Sequence, residues 1–319
     1  MRVADLIFSS TFLATIIRMT TPIMFASLAG VVVARAGMMN LAIESTMLTG
    51  ALAGVLFSAW TQSAWLGLLG AVIIGILLSA IIGYTALVLK ADMFMNGVAF
   101  NLMMGGGTIF ILYLVSGSKG MSTGLLSKVL PTIHIPFIEN IPFLGEVLSG
   151  HYVLTYLAAI IAVLIHIFLF KTKLGLRLRL VGENDQAAES VGVNSLRIKM
   201  LAMCISGALA ALGGCFMSMH YVSWFQTDMT AGRGFIGMAS AALGGARPSG
   251  AFVAAILFGT ADAVAITLSM LSIPSELVSI IPYVVTIIGL VISTSFMKKQ
   301  KGLLNRAKQN IFTVKEQKQ

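Results

Sequence analysis

The sequence predicts an all-α polytopic membrane protein with about 8–10 transmembrane helices, some of them broken or short. Of the 319 residues, 57% are hydrophobic and only 10% are charged, and the mean hydropathy is +0.94. Soluble domains carry about 25% charged residues. The composition therefore excludes a water-soluble enzyme and, despite a formal charge of +9, a nucleic-acid-binding protein. The lipid bilayer is the first partner that the sequence predicts.

The predicted spans are apolar runs of about 20 residues, each able to cross a hydrocarbon core about 30 Å thick. They cover residues 12–34, 41–60, 64–89, 94–116, 151–170, 200–220, 249–271 and 276–297. Arg18 and Pro22 interrupt the first run, and an equally apolar sequence follows it. We therefore expect a retained membrane segment there rather than a cleaved signal peptide. Together the runs define a transmembrane domain over residues 1–297.

The basic residues indicate which side of the membrane each loop occupies. Residues 171–199 carry a net charge of +3 and residues 298–319 carry +6, while the rest of the chain is balanced. Positively charged loops close to membrane spans stay in the cytoplasm. We therefore expect a cytoplasmic loop at 171–199 and a basic cytoplasmic tail at 298–319. The balanced loop at 117–150, one crossing away, is expected on the extracytoplasmic side.

This assignment requires a further crossing within residues 232–246. An even number of crossings must separate the two basic segments, but only three apolar runs lie between them. As a helix, the 232–246 segment would be about 22 Å long, too short to span alone. Gly232, Gly234 and Gly237 favour a broken element, a short helix joined to extended backbone and buried in protein or lining a cavity. A re-entrant loop with an external tail is the alternative.

The position of the N-terminus follows from the same counting. Four apolar runs precede the extracytoplasmic loop, which places Met1 outside. The alternative is that residues 5–34 break, or that the 41–60 run does not cross fully. Arg2 and Asp5 cancel in charge and favour neither.

Polar side chains within the apolar runs are candidates for a substrate path. On a helix, Asn40 and Glu44 would share a face, and a carboxylate at membrane depth usually faces a cavity or a partner. For Glu44 the structural alternative is an ion pair, with Arg35 the nearest cation, or an interaction at a helix start. Asn96 and Asn101 could hydrogen-bond a substrate or a neighbouring helix.

Aromatic and charged residues complete this set of candidates. Phe94 and Phe100 could stack on a flat ring of a substrate, as could Trp224 or Phe225. Asp262 is a further charge within an apolar run, and we expect it to pair structurally with a basic residue such as Arg233 or Arg247.

A short helix is predicted in the cytoplasmic loop, over residues 182–192. Gly182 would lead into it, Asn184 would cap its N-terminus, and Gly192 would end it in a left-handed conformation. The helix would follow Glu183 and present a small surface made of Ala187 and Ala188. Such a surface between basic flanks suits docking into a groove of a cytosolic partner; a solvated connector is the alternative.

The sequence predicts no catalytic residue, cofactor or metal site. Residues 232–237 match GxGxxG but lack the strand and the downstream acidic residue of a dinucleotide site. The sequence GxxxxGK[ST] does not occur, so if transport is driven by ATP, another chain must hydrolyse the ATP. The histidines lack metal-ligand spacing, and Cys204 and Cys215 do not form a CxxC pair.

Three stretches in the same order carry a resemblance to a known family. They read GMMNLAIESTMLTG over 37–50, LRLRLVGENDQAAESVG over 176–192 and GRGFIGMASAALGGARPSG over 232–250. They resemble the family patterns G-x-x-N-[IL]-x-x-E-G-x-M-L-x-G, R-x-V-G-E-N-P-x-A-A and G-x-G-F-x-x-x-A-x-A-x-x-G. Ser45 stands where glycine is usual, and Asp185 where proline is common. The chain is thus similar to inner-membrane permease subunits of ABC importers for nucleosides and simple sugars, a group that includes ribose and branched-chain amino acid permeases.

The resemblance implies a permease fold, a multi-pass location in a bacterial-type inner membrane, and a set of partners. These partners are cytoplasmic ATPase subunits, a second permease subunit that is either a paralogue or a copy of this chain, and an extracytoplasmic substrate-binding protein. The 182–192 helix would be the coupling helix. Nucleosides are the expected substrate, with ribose-like sugars second and branched-chain amino acids as an alternative. From the residues alone, an ion-coupled secondary transporter in which Glu44 or Asp262 titrates remains the competing hypothesis.

Overall fold

The chain folds as an all-α polytopic membrane protein. The computed structural model describes residues 10–134 and 149–269 together with the isolated residues 145, 147 and 284. Ten helices follow one another in this part of the chain. They are α1 (Ser10–Arg35), α2 (Ile43–Thr61), α3 (Ala64–Leu87), α4 (Met93–Ser116), α5 (Val153–Lys171), α6 (Lys173–Glu183), α7 (Asp185–Ser190), α8 (Ser195–Phe216), α9 (Arg233–Leu243) and α10 (Pro248–Ser269). A two-residue hairpin of β1 (Thr132–Ile133) and β2 (His151–Tyr152) precedes α5.

Seven of these helices are long and apolar enough to cross a membrane: α1 to α5, α8 with its continuation to His220, and α10. They match seven of the predicted apolar runs, with ends that differ by up to five residues. Apolar residues cover these helices all round because the spans meet either lipid or other helices. The predicted span at 276–297 and the tail at 298–319 lie outside the described residues.

α1 runs from the end of the bundle that holds the 117–134 loop, expected to be extracytoplasmic, to the end that holds the basic 171–199 loop, expected to be cytoplasmic. Its last residue, Arg35, lies against Gly182 of the basic loop that the charge pattern assigns to the cytoplasm. The next helix, α2, returns outward, since Ser58 donates to the Lys128 carbonyl at 2.7 Å and Gln62 donates to the Leu126 carbonyl at 3.0 Å. The start of α1 therefore lies at the same end of the bundle as the loop around Leu126 and Lys128, which agrees with the counting of spans; Met1 itself lies outside the described residues.

The connection between α1 and α2 is a break rather than a surface loop. Gly37 leaves the helix with a φ of 74°, a left-handed value that glycine adopts without strain. The chain then turns back into the bundle, where Asn40 is 5% exposed and α2 begins at Ile43. We call residues 36–42 the α1–α2 break.

Residues 222–246 form the additional crossing that the basic segments require. α8 continues as a π-helix, Met217–Tyr221, to the outer side. There Phe225 N–H donates to Ser122 Oγ at 2.8 Å and Thr227 N–H donates to the Gly120 carbonyl at 3.0 Å. Irregular backbone then leads inward to the 11-residue α9.

α9 lies parallel to the second half of α1. Ser27 and Ser240 are hydrogen-bonded at 3.1 Å, and a Cβ on Gly30 would lie 3.1 Å from the Ala241 Cβ. At the cytoplasmic end, Arg35 donates to the Ala246 carbonyl at 2.6 Å. The segment is therefore a broken crossing rather than a re-entrant loop, and α10 returns outward beside α1.

The interior of the bundle is built around α8, which packs against α1, α2 and α3. A Cβ on Gly50 would lie 2.6 Å from the Ala211 Cα, so α2 and α8 touch backbone to backbone. Such close approach through small residues is the usual way in which membrane helices associate. Phe25 of α1, Phe216 of α8 and Phe258 of α10 belong to this core and are fully or almost fully buried.

Candidate functional site

Glu44 caps a helix that is distant in sequence. Its carboxylate accepts hydrogen bonds from Gly232 N–H at 2.9 Å and from Gly234 N–H at 2.6 Å. These N–H groups lie at the start of α9, where a helix leaves its first donors unpaired and carries partial positive charge. Glu44 is only 9% exposed, so its charge is balanced by this helix end rather than by water.

Glycine is required where α9 meets α2. A Cβ on Gly234 would lie 2.6 Å from the Glu44 Cα, too close for any side chain. Gly232 has a φ of 79°, which turns the chain into the helix. Gly237, one turn further along, packs its Cα against Ala26 and Ser27 of α1. Of the three glycines predicted to mark a broken element, Gly234 and Gly237 therefore allow α9 to approach α2 and α1, and Gly232 allows the turn before α9.

Arg35 binds the opposite end of α9. Its Nε donates to the Ala246 carbonyl at 2.6 Å and its Nη2 to the Gly245 carbonyl at 3.4 Å. Its guanidinium carbon also lies 5.6 Å from the centre of the Phe170 ring. The possible ion pair of Arg35 with Glu44 does not form, because the two residues serve opposite ends of the same helix.

α9 is also joined to α10 by charge. Arg233 Nε lies 3.3 Å from a carboxylate oxygen of Asp262, and both side chains are largely buried. This is the structural pairing expected for Asp262, and it is confirmed.

Asn40 and Asn101 bind the backbone of the α1–α2 break. The Asn101 side chain accepts from Ser45 N–H and donates to the Leu41 carbonyl, both at 3.0 Å. Asn40 accepts from Ala42 N–H at 3.1 Å and reaches the Ser206 hydroxyl at 3.5 Å. Backbone groups that a continuous helix would pair internally are thus paired by amide side chains, as irregular backbone at membrane depth requires.

Asn96 joins two helices. Its amide nitrogen donates to the Ile82 carbonyl at 3.0 Å and its oxygen accepts from Thr85 Oγ1 at 3.1 Å, so it connects α4 to α3. Phe94, on the first turn of α4, is 52% exposed, and Phe100 packs partly against the core. The residues predicted for a substrate path thus lie on α4 and around the break, with their polar atoms bonded to the protein.

A cavity of about 380 Å³ adjoins the break. It lies between α1, the break and α9, and Asn40 is the polar side chain in its wall. Its other lining includes Met38, Met39, Phe235 and Met238. No local sequence pattern indicates this methionine-rich wall, because its residues come from two distant segments, 30–43 and 235–242.

In the basic 171–199 loop, the cap predicted at Asn184 is confirmed, but Gly182 and Glu183 do not lead directly into the short helix. Gly182 and Glu183 end α6, and the separate helix α7 begins at Asp185. Asn184 divides them because it is extended, with φ −158° and ψ 109°, while its side chain accepts from Ala187 N–H at 3.0 Å as the predicted cap. Gly182 serves a close approach instead: a Cβ there would overlap the Arg35 carbonyl.

The end of α7 agrees with the prediction. Gly192 has a φ of 80°, its N–H donates to the Glu189 carbonyl at 2.9 Å, and Val193 N–H donates to the Ala188 carbonyl at 3.0 Å. This is the left-handed ending expected for a glycine after a helix.

The two alanines of α7 do not form one exposed surface. Ala188 is fully buried against the core, whereas Ala187 faces outward. α7 is fastened to α8 by the ion pair of Asp185 with Lys199 and by a hydrogen bond of Ser195 to Glu189. Val191, which directly follows α7, is 69% exposed. No sequence pattern distinguishes it from an ordinary loop residue.

The family model described as "Branched-chain amino acid transport system / permease component" matches residues 12–290. The nucleoside ABC transporter permease protein NupC of Lactococcus lactis is 32% identical over 85% of this chain and 88% of its own. The guanosine ABC transporter permease protein NupQ of Bacillus subtilis is 34% identical over 84% and 87%, respectively.

Two further similarities concern sugars and the fold. The "Putative glucose ABC transporter permease protein TsgC13" of Haloferax volcanii is 30% identical over 83% of this chain and 80% of its own. A solved structure described as "An inward-facing conformation of a putative metal-chelate type ABC transporter" superimposes with a TM-score of 0.53. It is 16% identical and covers 88% of this chain and 85% of its own, so it shows the fold.

Proposed function

Because the chain belongs to the branched-chain amino acid transport system / permease component family, we propose that it is one half of the permease core of an ATP-driven importer for nucleosides. The observation that carries this proposal is the identity of 32% to 34% over more than four fifths of the chain to permeases named for nucleosides and guanosine. As a multi-pass permease subunit, the protein lies in the inner membrane when its host is a bacterium.

The cavity beside the α1–α2 break supports a nucleoside over a sugar. Flat aromatic bases bind well to apolar and sulfur-containing walls, such as those of Phe235, Met39 and Met238, while Asn40 offers a polar group. A free sugar presents hydroxyl groups on all sides, and these need more hydrogen-bond partners than this wall provides. Ribose-like sugars remain the second candidate, since TsgC13 is a relative.

The cytoplasmic corner formed by α6 and α7 is the proposed docking point for an ATPase subunit. α7 exposes Gln186, Ala187 and Ser190, followed by the exposed Val191 and Gly192. Its other face is fixed to the bundle by the buried Ala188 and by Asp185. A small helix that is rigidly held and carries an apolar tip suits insertion into a groove of a partner.

α4 is the proposed contact with a second permease subunit. It buries only Gly97, Thr108 and Leu112 within this chain, while Leu102, at 75% exposure, and Phe110, at 63%, face outward. We propose that a paralogue or a second copy covers part of this helix, and that lipid covers the rest. A substrate-binding protein would deliver its ligand at the extracytoplasmic side, where the 117–150 loop lies.

Competitive uptake tests the substrate. Cells that express the complete transporter are given labelled guanosine, and unlabelled guanosine, cytidine, ribose or leucine is added in excess. We expect both nucleosides to compete, ribose to compete weakly or not at all, and leucine to have no effect. Absence of guanosine uptake, or competition by leucine but not by cytidine, would overturn the substrate assignment.

The energy source is tested in proteoliposomes that contain this chain with or without its ATPase. We expect uptake to require the ATPase and ATP, and a proton or sodium gradient alone to drive none. Gradient-driven uptake by this chain alone would favour the ion-coupled secondary transporter in which Glu44 or Asp262 titrates.

A further inference from the structure

α9 is held at both ends by residues that flank the α1–α2 break. Glu44, in the first turn of α2, accepts from Gly232 N–H and Gly234 N–H. Arg35, the last residue of α1, donates to the carbonyls of Gly245 and Ala246. A helix is partially positive at its N-terminus and partially negative at its C-terminus. Glu44 therefore meets the partially positive N-terminus of α9, and Arg35 holds the turn that follows the C-terminus of α9.

These two attachments make the break and α9 one body. Beside Glu44, which is buried in the bundle, no water replaces a lost backbone partner, and at both attachments the hydrogen bonds involve charged side chains, which bind more strongly than neutral ones. The attachments lie on either side of α9, an 11-residue helix about 16 Å long. Between them, Ser27 and Ser240 are hydrogen-bonded and Gly30 lies against Ala241. Sliding of α9 along α1 would break all of these contacts together.

α6 touches this body at Arg35. A Cβ on Gly182 would overlap the Arg35 carbonyl, and a Cβ on Gly37 would lie 2.9 Å from the Gly182 carbonyl. The contact is therefore made by backbone on both sides, without a flexible side chain that could absorb a shift. The guanidinium of Arg35 also shares the Phe170 ring with Arg179 of α6, which lies 4.9 Å from the ring centre.

We propose that Arg35 is the positioning residue that transmits a displacement of α6 and α7 to α9. When α7 moves, the backbone at Gly182 shifts Arg35, and α9 follows because Arg35 and Glu44 hold it to the break. The N-terminus of α9, deep in the bundle beside Glu44, then moves with the cytoplasmic corner. This inference rests on the proposed docking of an ATPase at α7 and adds the path by which the movement reaches the membrane interior.

Three variants of the complete transporter in proteoliposomes test the role of Arg35. R35Q removes the charge, R35K keeps the charge but not the fork of donors, and R247Q removes an exposed cation close by. Each is scored for guanosine uptake, for ATP hydrolysis and for assembly of the complex. We expect R35Q to lower uptake at least about tenfold, because bonds to a charged donor are lost. Hydrolysis should stay within about twofold, R35K should restore part of the uptake, and R247Q should match the wild type.

A covalent bond provides a second test that does not depend on whether R35Q assembles. S27C and S240C place two thiols on facing turns of α1 and α9, where the native hydroxyl oxygens lie 3.1 Å apart, and neither residue lines the cavity. Both are introduced after Cys204 and Cys215 are replaced by alanine. With Arg35 present, oxidation should leave uptake within about twofold of the reduced protein, because α9 does not slide on α1. In an R35Q variant that assembles, oxidation should restore uptake severalfold.

Two results would overturn the inference. One is an assembled R35Q complex in which uptake is unchanged, or in which uptake and hydrolysis fall in proportion, since Arg35 would then not act in coupling. The other is a loss of uptake on oxidation of the cysteine pair that is reversed by reduction, since α9 would then have to move against α1. Failure of the proposed function is distinct from both, because the wild-type complex itself would then show no ATP-dependent uptake.

Discussion

At the scale of single residues, the buried charges are used to finish helices and to join them. Glu44 caps the N-terminus of α9, and Asp262 forms an ion pair with Arg233. Charged groups are rare in membrane spans because an unpaired charge there is costly. Their presence in this chain is explained by backbone and side-chain partners that lie far away in sequence.

Substitution of Glu44 by glutamine should destabilise the protein. A glutamine side chain can accept from one of the two glycine N–H groups, but its amide nitrogen would face the other donor. We expect the free energy of unfolding to fall by about 1–3 kcal/mol, the usual effect of an unpaired buried donor. Thermal unfolding in detergent measures this change. Asp228→Asn is the matched control, because that carboxylate is exposed in the loop before α9 and asparagine tolerates its positive φ.

The pair of Arg233 and Asp262 should behave as one unit. D262N leaves the arginine without its carboxylate and should lower stability by about 3 kcal/mol, whereas the double variant R233Q/D262N removes both charges and should recover much of that loss. Thermal unfolding of the two single variants and the double variant gives the coupling free energy. If the loss of stability in the double variant equals the sum of the losses in the two single variants, the two residues do not interact.

At the scale of helices, the apolar runs predicted the spans well, whereas contacts between distant segments could not be predicted. A run of about 20 apolar residues forms a transmembrane helix in a bilayer, and a helix cap such as Asn184 can be recognised from neighbouring residues alone. The partner of Glu44 lies 188 residues away at Gly232, and no local pattern indicates it. The same holds for α7: its sequence predicts a helix, but only the position of α8 decides that Ala188 is buried and Ala187 is exposed.

The two faces of α7 should therefore respond differently to a bulky substitution. A187W should leave the protein folded and assembled in the membrane but reduce uptake at least about tenfold, because the exposed face would no longer fit its partner. A188W should instead lower the amount of folded protein, since a tryptophan cannot fit at a fully buried alanine. Uptake and the yield of monodisperse protein are the two measurements. An A187W variant with normal uptake would rule out docking at this face.

At the scale of the whole molecule, the side occupied by each loop follows from the broken crossing at residues 222–246. Hydropathy alone misses this crossing, since α9 has only 11 residues. Charge balance detected it because both basic segments must lie on one side. The contacts of α9 with α1 and of Phe225 with Ser122 then show where it begins and ends.

Single cysteines labelled from outside intact cells test this arrangement. L126C, at a residue 82% exposed in the outer loop, and T11C, at the start of α1, should react with a maleimide that cannot cross the membrane. V191C, at the cytoplasmic corner, should react only after the cells are made permeable. The background has alanine at positions 204 and 215. Labelling of V191C in intact cells would show that the protein has the opposite topology.

The two-ended attachment of α9 also affects how the protein is made. Arg35 and Glu44 enter the membrane early in synthesis, but the backbone that neutralises Glu44 is made 188 residues later. Until then the N-terminal helices hold a carboxylate and a guanidinium without their final partners, an unfavourable state within lipid. A nascent or truncated chain that stops before α9 should therefore be recognised and degraded by membrane proteases, so that only the finished chain accumulates.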